Sequence, residues 1–368
     1  MQGTSLAALL DRADSAALPA LGGMPAPTLN FNGIPFPGVG CNCAPPDTNG
    51  EVGATQYVQI VNEGFQVFNK STGASVFGPV GISTVWGGFG GVCETTGDGD
   101  PVVLYDQLAN RWVLSQFAGS PVPTDECIAV STTNDATGSW NRYGFHLGSD
   151  FFDYPHLGVW PDAYYMSMNV FNSSGSAFLG PQPFAFNRAA MLAGTPATFV
   201  TTRDPAVFNS SNDALLAGDL DGSAAPPAGA PAPFLMSGTA ATWRLWRYHA
   251  DFGTPGNSTF TLAGNLSPAG YTELCPTTRN CVPQLGTTSR LDGIGDRGMC
   301  LPRRKPSSMY STATSFIVRR GPPVPGRLRR RGSRARTSRR AGGARGAASR
   351  RAARRSSRAD GRSRSRRR

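Results

Sequence analysis

The 368-residue chain carries a formal net charge of +11, from 35 Lys and Arg against 24 Asp and Glu. Residues 301–368 contain 24 of the basic residues and a single acidic one, so residues 1–300 carry a net charge of −12. This acidic body excludes a general affinity for nucleic acid in that part of the chain. No run of 18 apolar residues occurs, which excludes a membrane-spanning helix.

The first segment, residues 1–40, starts with MQGTSLAALLDRADSAALPALGG. It has neither a basic start nor a sustained apolar core, so it does not predict a signal peptide. We interpret it as a pro-segment or linker, produced by a start site chosen inside a longer gene.

Residues 41–300 are predicted to form one all-β domain. The chain has 45 Gly and 30 Pro but only 16% charged residues, which is typical of many short strands joined by tight turns. One short helix is predicted over Asn187–Gly194, with Asn187 as the N-cap and Gly194 as the stop.

Internal repeats organise this domain. The segment Asp100–Phe117 resembles Asp153–Phe171, and a weaker copy begins at Asp47; each has an aspartate, an apolar strand, a turn and a second strand led by an aromatic residue. A third strand recurs as FQVFN, CIAVS, FAFN and RLWRYH. DLDG at 219–222 and RLDG at 290–293 are interpreted as starts of further units. The period of roughly 50–70 residues predicts a β-propeller, and a pair of β-sandwiches is the alternative fold.

The repeats give about four full units and the start of a fifth, so we expect an incomplete ring. From residue 321 onward, 44 of 48 residues are Arg, Ala, Gly, Ser or Pro, and Lys is absent. Out-of-frame translation of GC-rich DNA gives this composition. We therefore interpret residues 301–368 as a disordered, Arg-rich tail produced by a frameshift. A genuine polyelectrolyte arm that binds DNA or RNA is the alternative.

Long strings in residues 30–298 resemble a family of exported bacterial β-propeller-like proteins. They are PPDTNGEVGATQYVQIVN, GGVCETTGDGDPVVLYDQLANRWVLSQF, ECIAVSTTNDATGSW, YPHLGVWPDAYYMSMN and RNCVPQLGTTSRLDGIGDR. The resemblance implies a propeller fold and export, since members usually carry a signal peptide and sometimes adhesion-type modules. It brings no catalytic residues. In that family Asp296-Arg297 is followed by another strand, whereas GMCLPRRK follows here, which again indicates a frame change.

Aspartates cluster at the repeat starts, and equivalent loops of a propeller lie on one face. They are Asp47, Asp98, Asp100, Asp153, Asp219, Asp221 and Asp292. These carboxylates are candidates for binding a ligand or Ca²⁺, with DGD at 98–100 as the best local fit, or for acid–base catalysis of glycoside hydrolysis. The structural interpretation is that each aspartate caps its own turn.

Trp160 and Tyr164, with Tyr165 beside them, are candidate stacking contacts for sugar rings, and packing between blades is the alternative for them. Trp86 is a candidate contact for a ligand or partner. Trp86 belongs to the glycine-rich loop VWGGFGG, which lacks the Lys-Ser/Thr ending of a phosphate-binding loop. A sialidase-type site would need arginines that converge, and the candidates are Arg111, Arg142, Arg188, Arg244 and Arg247.

The seven cysteines form no C-x-x-C pair, so they do not predict a zinc site. Cys93 and Cys127 flank one repeat, and Cys275 and Cys281 bracket a short turn, which makes both pairs candidate disulfides. Paired cysteines and scarce Lys favour an exported protein, secreted or at the cell surface.

The leading hypothesis is an exported β-propeller-like scaffold that binds an extracellular ligand or surface glycan, without a cofactor other than Ca²⁺. The first alternative is a sialidase-like propeller glycoside hydrolase. The second is nucleic-acid binding through the Arg-rich tail, 301–368.

Overall fold

Four sheets, each built from four consecutive antiparallel strands, follow one another along the chain in this computed structural model. The structure describes residues 27–35, 39–40, 46–212, 214–222, 224–239, 242–267, 275, 277–278, 280–283, 286–292 and 301–304. Predictions made for residues 1–26, for Cys41, Cys43 and Cys300 and for the tail beyond residue 304 lie outside this part.

The strands have the following bounds. Sheet 1 contains β1 (Asn49–Val52), β2 (Gln56–Val61), β3 (Gly64–Asn69) and β4 (Ser75–Gly81). Sheet 2 contains β5 (Gly99–Asp106), β6 (Arg111–Ala118), β7 (Asp125–Ser131) and β8 (Trp140–His146). Sheet 3 contains β9 (Phe151–Val159), β10 (Tyr164–Phe171), β11 (Phe178–Phe186) and β12 (Phe199–Thr201). Sheet 4 contains β13 (Leu215–Asp221), β14 (Ala232–Thr239), β15 (Thr242–His249) and β16 (Thr259–Leu266).

Three further strands follow sheet 4. β17 (Asn280–Pro283) and β18 (Arg290–Asp292) form a separate antiparallel hairpin. β19 (Leu301–Arg304) joins sheet 4 in parallel with β13.

The sheets have a β-propeller-like arrangement, because the first strand of each sheet lies beside the first strand of the next: β1 by β5, β5 by β9, and β9 by β13. Three apolar cores fill the spaces between successive sheets. Phe65 and Leu114 belong to the core between sheets 1 and 2, and Val130 and Phe184 to that between sheets 2 and 3. The all-β, propeller-like class predicted from the repeats is therefore confirmed.

Burial on both faces explains the sequence of the inner sheets. In β7, Cys127 and Ala129 face the core shared with sheet 1, whereas Ile128 and Val130 face the core shared with sheet 3. Such a strand is apolar at nearly every position, so the alternation expected of a half-exposed strand is weak. The third strands FQVFN, CIAVS, FAFN and RLWRYH are β3, β7, β11 and β15, as predicted.

Helices are few in the described part of the chain. Besides two 3₁₀ turns, there are α1 (Val92–Thr95) and α2 (Arg188–Ala193). α2 is the predicted helix: the Asn187 side chain accepts a hydrogen bond from the Ala190 N–H, and Gly194 ends it in the left-handed conformation. None of the described helices has the length and apolarity needed to cross a membrane.

Candidate functional site

Three of the predicted aspartates come together where the first strands of sheets 1, 2 and 3 begin. Asn62 joins the first two, since its side-chain amide donates to Asp47 Oδ2 (2.6 Å) and its Oδ1 accepts from the Asp100 N–H (2.9 Å). The Tyr154 N–H joins the second and third, contacting Asp100 Oδ2 (3.3 Å) and Asp153 Oδ1 (2.9 Å). We call Asp47, Asp100 and Asp153 the axial carboxylates, because they lie on or beside the innermost strands.

In each of the four sheets, one residue near the start of the first strand has a left-handed backbone conformation. φ is +40° at Asp47, +42° at Asp100, +57° at Tyr154 and +39° at Ala214, each close to the start of a first strand. Aspartate tolerates this conformation, but tyrosine and alanine adopt it at a cost. The same left-handed conformation therefore occurs in four sheets, and in two of them an aspartate adopts it.

Asp100 carries a proton at neutral pH. Burial is the largest cause that raises its pKa from 3.8 to about 8, and the charges of Asp153 and Asp47 add to the shift. A side-chain hydrogen bond with Asp47 favours the protonated form, whereas the hydrogen bond from the Tyr154 N–H works in the opposite direction. Asp100 thus adds a hydrogen-bond donor to the cluster of axial carboxylates.

A fourth carboxyl, Glu126 on β7, was missed by the sequence analysis. It is fully buried, and burial raises its pKa well above the usual range. The nearby Ser115 hydroxyl lowers that pKa, and the charge of Asp100 raises it. Neither Glu126 oxygen has a hydrogen bond of normal geometry within the described residues. No sequence signal marks this residue, because it differs from its apolar neighbours on β7 only by its charge.

The remaining aspartates do not join the cluster. Asp98 is exposed, and its Oδ2 accepts from the Gly119 N–H, just beyond the end of β6, at 2.8 Å. Asp219 and Asp221 end β13 instead of starting a unit, so that interpretation of DLDG is wrong. Asp219 Oδ1 accepts from the N–H of Val159, at the end of β9. Asp153 lies near the start of β9, about 20 Å along that strand from Val159. Asp219 is therefore far from the axial carboxylates.

Asp292, the last of the predicted set, ends β18 in the separate hairpin. Burial is also the largest cause that raises the pKa of Asp219, to about 7. Within the described residues, no group of three or more His, Cys, Asp or Glu side chains has the arrangement of metal ligands. The Ca²⁺ interpretation therefore stays a prediction.

The three predicted aromatic contacts are buried. Trp86 and Tyr164 have no exposed surface and Trp160 has 1%. The Trp160 indole N–H donates to the Ala230 carbonyl at 2.8 Å, and the Tyr164 hydroxyl donates to Asp106 at 2.9 Å. Their rings pack between sheets, so their faces are not available to a sugar and the expected contact is wrong.

Three of the five candidate arginines lie apart from one another. Arg188 binds Asp106 through Nε (2.6 Å) and Nη2 (3.0 Å), in a buried ion pair between sheets 2 and 3. Arg142 donates to the Gly87 carbonyl, near sheet 1, and Arg244 donates to the Asn212 side chain in sheet 4. A sialidase-type arginine cluster is therefore not formed by these side chains.

Both predicted disulfides are present. Cys93 binds Cys127 across a separation of 34 residues, with both residues buried between sheets 1 and 2. Cys275 binds Cys281 across six residues. A disulfide in a core indicates an oxidising compartment, which is compatible with an extracellular protein.

Comparisons with known proteins give weak similarities only. No protein-family profile and no curated protein matches the sequence. A mutant α-L-arabinanase from Cellvibrio cellulosa is similar at 12% identity and a TM-score of 0.27, covering 61% of this chain and 71% of that one. The endosialidase of phage phi92 is similar at 13% identity and a TM-score of 0.29, covering 71% of this chain and 48% of that one. At such TM-scores neither protein bears on what this chain binds.

Proposed function

We propose that this protein is an exported β-propeller-like scaffold that binds an extracellular glycan at the axial carboxylates. The observation that carries the proposal is the convergence of Asp47, Asp100 and Asp153 from three sheets onto one place. Asp47 is exposed, and Asp100 and Asp153 are half-buried, so this end of the sheets is open to a ligand.

The chemistry of the cluster suits a ligand rich in hydroxyl groups. Carboxylate oxygens accept hydrogen bonds from sugar hydroxyls, and such charge-assisted bonds are roughly twice as strong as neutral ones. The protonated Asp100 adds a donor to the same surface. Because these groups lie on or next to rigid first strands, little ordering is needed on binding.

Calorimetric titration with a panel of oligosaccharides tests this proposal. Asp153→Asn is expected to weaken binding by roughly 10- to 100-fold, the equivalent of one charge-assisted hydrogen bond. Asp251→Asn is the matched control, because Asp251 caps its own exposed turn through the N–H groups of Gly253 and Thr254. Binding that is unchanged in Asp153→Asn, or equally weakened in both variants, would contradict the proposal.

Glycoside hydrolysis at the same cluster is a second candidate, favoured by the proton on Asp100. In this reaction Asp100 donates its proton to the glycosidic oxygen as the C–O bond breaks, while the Asp153 carboxylate attacks the anomeric carbon. Asp100 Oδ2 and Asp153 Oδ1 contact one nitrogen at 3.3 and 2.9 Å. These two oxygens are thus closer than the roughly 6.5–9.5 Å between carboxyl groups of inverting enzymes, which favours retention.

Product analysis by mass spectrometry on the same oligosaccharides separates the two functions. A hydrolase would release products at a rate that falls as the pH rises through about 8, where Asp100 loses its proton, and Asp100→Asn would abolish the reaction. A binding scaffold would return every oligosaccharide intact. Titrations with added Ca²⁺ or with EDTA test whether a bridging cation is needed.

A further inference from the structure

A second concave surface lies between sheets 1 and 2, on their outer edge strands β4 and β8. It encloses about 320 Å³, and its lining includes Phe65, Phe77, Gly87, Trp140 and Arg142. We call it the edge groove. β8 is three strands away from β5 in sheet 2, about 14 Å across the sheet, so the groove is separate from the axial carboxylates.

One wall of the edge groove is aromatic. The Phe65 ring lies between those of Phe77 and Trp140, with centroid separations of 6.0 and 6.5 Å. Phe77 is 37% exposed and Trp140 is half-buried, whereas Phe65 is buried behind them. Partly exposed aromatic rings such as Phe77 and Trp140 can pack against the C–H faces of sugar rings, which the buried Trp160 and Tyr164 are unable to do.

Beside this aromatic wall the edge groove carries a positive charge with unused donors. Trp140 and Arg142 are two residues apart on β8 and therefore point to the same side of the strand. Within the described part of the chain, Arg142 makes one hydrogen bond, from Nη1 to the Gly87 carbonyl at 2.7 Å. Its guanidinium also lies 5.7 Å from the centre of the Phe89 ring. The Nε and Nη2 donors remain for a planar anion such as a carboxylate.

The glycine-rich loop fixes this arginine. The N–H groups of Gly88 and Gly90 donate to the Glu94 carboxylate at 2.8 and 2.6 Å, which lowers the pKa of Glu94, with a smaller contribution from the charge of Arg142. Glu94 is thus held by the loop backbone and makes no ion pair with Arg142. The loop orients the Gly87 carbonyl that holds Arg142, so the charge is placed at the groove without being neutralised by direct contact.

We propose that the edge groove binds a sugar unit that bears a carboxylate, such as a hexuronic acid. The aromatic wall takes the apolar face of the ring, Arg142 takes the carboxylate in a two-point contact, and the exposed Ser139 hydroxyl meets the ring hydroxyls. A cavity of about 320 Å³ accommodates one or two sugar units. This inference does not depend on the axial carboxylates.

Calorimetry and Trp fluorescence with a glucuronic acid disaccharide, the matched glucose disaccharide and sodium sulfate test the proposal. The uronic acid disaccharide is expected to bind at least ten times more tightly than the other two probes. Arg142→Gln is expected to remove this preference, and Arg142→Lys to keep only part of it, because an ammonium group lacks the planar fork.

Arg203→Gln is the matched control. Arg203 also lies over an aromatic ring, that of Phe208 at 4.5 Å, but Gln182 and Asp150 already accept from its Nε and Nη2, the two donors that Arg142 has left over. Equal affinity for the glucose disaccharide or for sulfate, no binding of the uronic acid, or an equal loss in Arg203→Gln would each overturn the proposal. If Arg142→Gln fails to fold, the comparison of the three probes on the wild-type protein still decides.

Discussion

Asp100→Asn is expected to stabilise the fold while impairing the site. Asparagine accepts the left-handed φ of +42° found at Asp100. It also reproduces the protonated acid, because its amide donates to Asp47 and its oxygen accepts from the Tyr154 N–H. The cost of keeping an ionisable acid in this place is thereby removed.

The size and sign of the effect follow from the pKa. Asp100 shifts from 3.8 to about 8, and each unit corresponds to about 1.4 kcal/mol, so the cost at pH 8 has a ceiling on the order of 5 kcal/mol. Because the folded pKa is the higher one, stability is greatest below pH 3.8 and falls as the pH rises towards 8. Because the interaction of Asp100 with its neighbouring carboxylates is one of several causes of the shift, we expect a smaller net gain of about 1–3 kcal/mol at pH 7.

Urea unfolding followed by Trp fluorescence at pH 4, 7 and 8.5 measures this difference. The gain for Asp100→Asn should be small at pH 4 and grow with pH. Asp106→Asn is the matched control with the opposite sign, because Asp106 accepts from Arg188, Tyr164 and the Ala109 N–H, and its loss leaves a buried arginine unpaired. It should cost about 3–5 kcal/mol. A destabilised Asp100→Asn variant, or a gain independent of pH, would refute the reasoning.

Three further substitutions test the fold. Ala214→Gly should raise the unfolding free energy by about 0.5–1 kcal/mol, since glycine adopts the φ of +39° without strain; a loss in urea unfolding would contradict this. Gly180→Ala should lower it by at least about 2 kcal/mol, because a Cβ would lie 2.4 Å from the backbone nitrogen of Asn209; an unchanged melting temperature would exclude that clash. Reduction of Cys93–Cys127, which closes 34 residues, should cost about 3–4 kcal/mol; an equal melting curve with reductant would contradict it.

The parts of the fold that the sequence predicts are those governed by short-range patterns. The strand FQVFN, the helix cap at Asn187 and the pairing of Cys93 with Cys127 each depend on spacing along a few or a few tens of residues. The convergence of Asp47, Asp100 and Asp153 was also expected, because a repeat places equivalent residues at equivalent points. These features are therefore determined by the spacing of residues along the sequence.

The rest depends on which face of a strand meets a neighbouring sheet. DLDG has the letters of a unit start, yet Asp219 and Asp221 end β13, because the register of β13 with β14 is set by packing and not by the aspartates. Trp160 and Glu126 are buried by sheets distant in sequence. The residues next to them in the chain therefore predict neither that the Trp160 ring is inaccessible nor that Glu126 is buried. The edge groove needs β4 and β8 together, and no spacing in the sequence relates them.

The pairing of strands has a consequence for how this chain acquires its structure. From β1 to β16, every strand pairs with its sequence neighbours within its own sheet, and β13 alone among them also pairs with a strand distant in sequence, β19. Contacts of this kind close short loops, so each sheet gains most of its hydrogen bonds before it meets another. The cores between sheets then couple units that form locally, and the order of assembly can follow the order of synthesis. β19 is the exception, because its parallel pairing with β13 closes the longest loop among the described strand pairs and forms only after Leu301–Arg304 has been made.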